Sequence, residues 1–281
     1  MRFRSHLARP IDPRYRSNRQ ILIVATLAVV VFTIRAFGDG FGSALLEGLL
    51  SGGAVFLTWA LTRELDPDEP NAALLAALIS APLVWYLGVP SLLVVAVVLM
   101  IGRVLIRSSG RPSTTLDLIG VSLLGIVAGR SAVGWAAALI LGFALARDRA
   151  LPGPAAPGSR IAALSVAAGA TAMAVQFSEP GRTSLTVLYW VVLLAGVLAG
   201  SFTVPYHPAT LGDYSGEPLS PVRKQSARRA VLAAAVLAVV VRGGEGVVTM
   251  LPVWASFVAV LLVGRGWLPV KTGPDSASDL P

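Results

Sequence analysis

The sequence predicts an all-α, polytopic integral membrane bundle of about ten transmembrane helices arranged as five hairpins, and three observations lead there. Apolar residues fill 55% of the 281 positions and charged residues only 14%, with a mean hydropathy of +0.73. A soluble domain of this length has too few charges to cover its surface at that composition. The apolar residues also gather in blocks of about 14 to 21, with the charges between them, close to the length that a hydrocarbon core asks of a crossing helix. Finally, Lys and Arg fall unevenly on alternate connectors, as the orientation rule for multipass chains requires.

Residues 1–19 are a basic arm, with Arg2, Arg4, Arg9, Arg14, Arg16 and Arg19 against Asp12 alone. The apolar run from Gln20 to Phe37 follows it. No small-residue cleavage site closes that run at Arg35-Ala-Phe-Gly-Asp, so it reads as an uncleaved first span with its basic end in the cytoplasm. The arm itself is expected to lie on anionic lipid headgroups. Further spans are expected at 41–61, 72–89, 90–107, 116–129, 131–146, 161–177, 185–204, 229–242 and 246–263. They make one membrane domain over 20–264, followed by a flexible cytoplasmic tail over 265–281.

The connectors alternate. Short turns at 38–40, 88–90, 129–131, 178–183 and 243–246 lie on one side. The arm, the tail and the longer loops 62–71, 102–117, 147–160 and 205–229 lie on the other and hold 19 of the 23 basic residues. Arg35, Arg130, Arg182 and Arg242 are the remainder. This asymmetry places both termini in the cytoplasm of a cell membrane. The fifth and sixth spans are short enough either to cross with local thinning or to dip in and return. A faint repeat links Val95 to Arg103 (VAVVLMIGR) with Val258 to Arg265 (VAVLLVGR), the kind of duplication found in transporters.

Several classes of chemistry are excluded or disfavoured. There is no cysteine, so disulfides and thiolate sites are absent, and His6 and His207 alone are too few for a histidine-rich metal site. The net charge of +8 is explained by membrane orientation rather than by nucleic acid. Trp85, Tyr86, Trp135 and Trp267 suit interface belts.

Three stretches are candidate sites. The turn Arg63-Glu64-Leu65-Asp66-Pro67-Asp68-Glu69-Pro70 is the only dense acidic cluster. Asp66 and Asp68, with Glu64 or Glu69, are potential oxygen ligands for Mg²⁺. The bland reading makes Asp68 an N-cap and Pro70 the first residue of the next helix. Glu47 lies about six residues into the second span, roughly 9 Å below the interface at 1.5 Å per residue, and an intramembrane carboxylate is a candidate pathway residue. Ser43, Glu47, Ser51 and Thr58 form a polar stripe at helical spacing, with Gly48 and Gly52 beside it as a small-xxx-small pair. Arg35, across the Gly-Asp-Gly turn, is placed to pin Glu47 in a structural ion pair. The third stretch is the 205–229 loop, carrying His207, Asp213, Tyr214, Glu217, Arg223, Lys224, Arg228 and Arg229. Arg223 and Lys224 suit a lipid phosphate or diphosphate, or simply touch headgroups.

Two functions follow from these stretches. The first is a carrier of a small molecule or ion that uses the Glu47 stripe and no cofactor. The second is a membrane enzyme acting on a lipid phosphate at the cytoplasmic face through a carboxylate-bound cation. A partner subunit of a larger complex is a third, non-catalytic possibility.

Overall fold

The computed structural model describes residues 5–7, 11–177, 181, 183–201, 210–213 and 215–264. Among these the protein is all-helical, with no strand beyond two isolated bridges. The helices are α1 (Arg16–Arg35), α2 (Phe41–Leu65), α3 (Pro70–Leu87), α4 (Leu92–Ile106), α5 (Thr115–Ala128), α6 (Ala132–Arg147), α7 (Ser159–Phe177), α8 (Val187–Ser201), α9 (Pro221–Arg242), α10 (Gly244–Thr249) and α11 (Leu251–Gly264). Four of them, α1, α2, α3 and α7, are long and apolar enough to cross a membrane, and α4, α5, α8 and α11 are shorter apolar helices.

The first eight helices lie within a few residues of the expected spans. Three differences have local reasons. α2 runs through Leu65 rather than stopping near residue 61, so Arg63 and Glu64 are helical. α9 starts at Pro221, eight residues before the expected span. Ser220 caps it by accepting from the Arg223 amide, and Pro221 sits at the first helical position, where its missing N–H costs nothing. The expected tenth span is broken into α10 and α11 around Met250, with Pro252 in the first turn of α11. Arg182, His207, Tyr214, Trp267 and the 265–281 tail lie outside the described residues.

α4 forms the centre. Val94, Val97, Val98, Ile101 and Leu105 are all buried, and α2, α6 and α9 surround the helix. α1 is peripheral: Ile23, Leu27, Val31 and Ile34 are exposed, and it packs closely on α2 and also touches α3, burying Ile21, Ala28 and Phe32. The small-residue pair explains how closely these two helices approach. A Cβ at Gly48 would lie 2.6 Å from the Val29 carbonyl, and one at Gly52 would lie 2.4 Å from the Val29 side chain. Only glycine leaves room for that contact. Gly196 does the same for α8, where a Cβ would meet the Trp254 ring at 2.4 Å. α1, α2 and α3 run antiparallel in turn. They place the end of α1, the start of α2 and the end of α3 together at one end of the bundle. The end of α2 therefore meets the C-termini of α4 and α6 and the N-terminus of α9 at the other.

Candidate functional site

α2 joins two polar regions. At its first end a cleft of about 590 Å³ is lined by Arg35 of α1, Ser43, Leu46, Glu47 and Leu50 of α2, and Val84 to Val89 at the end of α3. Arg35 Nη1 and Glu47 Oε1 stand 3.8 Å apart, with side chains 39% and 33% exposed. Neither side chain makes a hydrogen bond among the described residues. The Arg35 guanidinium lies 4.5 Å over the Trp85 ring, and Phe32 meets that ring edge-on at 5.4 Å. The arginine is thus steadied by a cation–π contact, while its N–H edge stays available. Tyr86 is exposed at the rim.

The other members of the stripe do not all reach the cleft. Ser43 does, although its hydroxyl donates to the carbonyl of Gly40 at 2.9 Å. Ser51 is fully buried, and its hydroxyl has no partner among the described residues. Thr58 donates back to the Ala54 carbonyl at 2.8 Å. One turn on, Thr62 donates to Ser256 of α11 at 2.8 Å, and Ser256 in turn donates to Pro252 O at 2.6 Å. A file of hydroxyls therefore follows α2 through the interior from Glu47 towards its far end.

At that far end the charges are buried and closely matched. Glu64, in the last turn of α2, accepts from Arg103 of α4 at 3.1 Å. The helix then stops, and Asp66 turns instead to α9, where Lys224 Nζ donates to it at 2.8 Å and Arg228 Nη2 lies 3.3 Å away. Arg228 also donates to the Leu65 carbonyl. Asp68 accepts from the Thr210 amide at 2.7 Å and from its hydroxyl, with Lys224 3.9 Å away. The residue at the N-cap of α3 is Glu69 rather than Asp68, while Pro70 does take the first helical position.

Asp148, just past α6, is the second hub. Arg107 grips both of its oxygens, at 3.0 and 2.6 Å, and Arg223 donates to it at 3.0 Å. Both arginines spend their remaining donors on carbonyls, Arg107 on Pro154 and Arg223 on Leu105 and Pro152. Arg107 adopts a left-handed backbone conformation, φ 55°, as the C-cap of α4. That conformation costs a non-glycine residue roughly 1–2 kcal/mol, and the two-pronged grip on Asp148 holds it in place.

Among the described residues, ion pairs thus join the carboxylates Glu64, Asp66, Asp68 and Asp148 to Arg103, Arg107, Arg223, Lys224 and Arg228 in one layer, with Glu69 at its rim. Glu64, Asp66 and Asp148 are no more than 2% exposed. Burial pulls the Lys224 ammonium below the ordinary lysine range, and Asp66 pulls it back the other way. Glu69, on the rim, is pushed up from its ordinary 4.5 by burial first and then by Asp66 and Asp68. Beside the layer, residues 5–7 of the arm are docked. Ser5 and the His6 amide donate to Asp117 at the start of α5, and Arg103 donates to the Leu7 carbonyl at 2.6 Å.

Both Asp66 oxygens already face cations, Glu64 turns to a different helix, and no group of three or more acidic or histidine residues among the described ones is placed to hold a metal ion. Asp66, Asp68 and Lys224 do converge, but on one another. Arg223 and Lys224 point inward from α9, whereas Arg229 beside them is exposed. The partners Arg103, Arg107 and Asp148 were not singled out from sequence. The available signal was that Asp148 follows an apolar helix directly, among arginines that orientation alone already explained. Comparison with known protein families, with curated proteins and with solved structures finds no match for this chain.

Proposed function

We propose that the chain is a polytopic cell-membrane carrier of a small molecule or ion, loading at the Arg35–Glu47 cleft and closed at the opposite end by the ion-pair layer. In this reading the ten expected spans cross as five hairpins with both termini cytoplasmic. The cleft then faces outward, and the ion-pair layer is the cytoplasmic gate. The observation that carries it is the contrast along a single helix. α2 is open and loosely paired at Glu47, and sealed by matched charges at Glu64 and Asp66, with buried hydroxyls between. Seventeen residues of helix separate the two carboxylates Glu47 and Glu64, about 25 Å at 1.5 Å per residue, a distance approaching the thickness of the hydrocarbon core. Carriers work by opening one end of such a path while the other is closed.

The exposed apolar faces fit this setting. Ile23, Leu27, Val31 and Ile34 on α1 and Leu116, Ile119, Leu123 and Val127 on α5 would otherwise stand in water. Chemistry on a lipid phosphate is the weaker alternative: its residues meet, but their charges are consumed by one another, and ligand binding there would first have to break the pairs.

The chain's lack of cysteine makes the test direct. In sealed vesicles of known orientation, Ser43→Cys is labelled by a membrane-impermeant maleimide from outside, and Thr62→Cys is protected from both sides. Adding Asp148→Asn should expose Thr62→Cys to the cytoplasmic side and slow labelling at Ser43→Cys. Labelling of Ser43→Cys only from inside, or no response of either site to the Asp148 change, overturns the reading.

A further inference from the structure

The cleft carries information about what it holds, and this inference deepens the carrier reading by naming the substrate class of the same site. We propose that the Arg35–Glu47 cleft binds a small zwitterion, a molecule with an anionic oxygen group and an ammonium group a few bonds apart.

The first argument is unused bonding capacity. A guanidinium offers five N–H donors and a carboxylate several acceptor positions. Here the two groups stand 3.8 Å apart, with no hydrogen bond from either among the described residues. The contrast with Arg107 and Asp148, which meet at 2.6 and 3.0 Å, shows that this chain builds close pairs where it needs them. An anionic group on Arg35 and an ammonium on Glu47 replace one loose contact with two direct ones, the first of them in the two-pronged geometry that arginine favours.

The second argument is charge balance. The site is neutral, and Leu46, Leu50 and Val84 wall it with hydrocarbon. A lone cation or anion leaves the cleft with a net charge beside those walls. A zwitterion adds none. The third argument is preorganisation: Trp85 holds the guanidinium from one face and is itself held by Phe32, so little side-chain freedom is lost on binding. A volume of about 590 Å³ admits a small solute. The same chemistry exists in a free amino acid and in an ethanolamine phospholipid headgroup, so the test must separate the two.

The full chain carrying Ser43→Cys is placed in phosphatidylglycerol nanodiscs, and its maleimide labelling rate is measured with glycine, β-alanine or glycerophosphoethanolamine. Acetate and methylammonium, the two halves of a zwitterion, are controls. At least one zwitterion should slow labelling by about tenfold, corresponding to about 1.4 kcal/mol, and neither half should. Arg35→Gln and Glu47→Gln should each abolish the protection, and the exchange of both (Arg35→Glu with Glu47→Arg) should restore part of it in a folded protein. Protection in phosphatidylethanolamine nanodiscs without added solute identifies the headgroup as the source of the same chemistry. The proposal falls if no zwitterion protects in either nanodisc, or if acetate or methylammonium protects equally. Zwitterion protection without the access change at Thr62→Cys would sink the carrier reading and leave this site standing. The access change without protection would do the reverse.

Discussion

At one end of α2, Glu47 and Arg35 stand 3.8 Å apart with about a third of each side chain exposed; at the other, Asp66 and Lys224 meet at 2.8 Å with 2–3% exposed. Both are an acid beside a base, but the physics differs. An exposed pair gains little from its Coulomb attraction, because water and salt screen it, and each partner stays solvated if the other leaves. A buried pair has surrendered its hydration, and it is tolerable only because an opposite charge stands close to each member, with several of the arginine donors also reaching carbonyls. The first kind of pair can exchange partners with a ligand at small cost. The second is a lock whose members depend on one another.

The sharpest way to break this comparison is to remove a hub of the lock. Asp148→Ala leaves Arg107 and Arg223 buried side by side without their shared carboxylate. Loss of one partner from a buried network costs about 3–5 kcal/mol, and reversible unfolding in mixed micelles should show a loss of that size. A loss under about 1 kcal/mol would mean that the layer is hydrated and not a seal.

A smaller effect sharpens the boundary of the lock. Glu69 lies at its rim with its carboxyl held above the ordinary 4.5 by burial and by Asp66 and Asp68. The folded state therefore binds that proton more tightly than the unfolded chain does. Glu69 adds stability below pH 4.5, and this contribution is lost as pH rises through its raised folded value. Glu69→Gln should flatten stability against pH in that window and leave the protein slightly more stable at neutral pH. A steeper curve in the variant would place Glu69 among the favourable members of the layer instead.

Much of the helical layout was legible in the sequence because burial in lipid or protein writes itself as apolar runs, and α1 to α8 follow those runs closely. Contacts between neighbours in sequence were legible too. Gly48 and Gly52 announce a close helix contact, and the short turn after Arg35 brings it to Glu47. The lock was not legible. Asp66 and Lys224 are 158 positions apart, Arg107 and Asp148 are 41 apart, and no local spacing rule links them. The charges of Arg223, Lys224 and Arg228 also disguised the start of α9. A run of cations reads as a solvated loop until its carboxylate partners are seen, and only the packing of α4, α6 and α9 brings those partners into place. Arginines that orientation already explained concealed a second role.

The most direct test of the contrast between the two ends of α2 is a pair of double-mutant cycles, one on Arg107 and Asp148 and the other on Arg35 and Glu47, read by unfolding under the same conditions. The account predicts a coupling of about 2–3 kcal/mol for the buried pair and below about 1 kcal/mol for the cleft pair. Equal couplings, or a stronger one at the cleft, would contradict it.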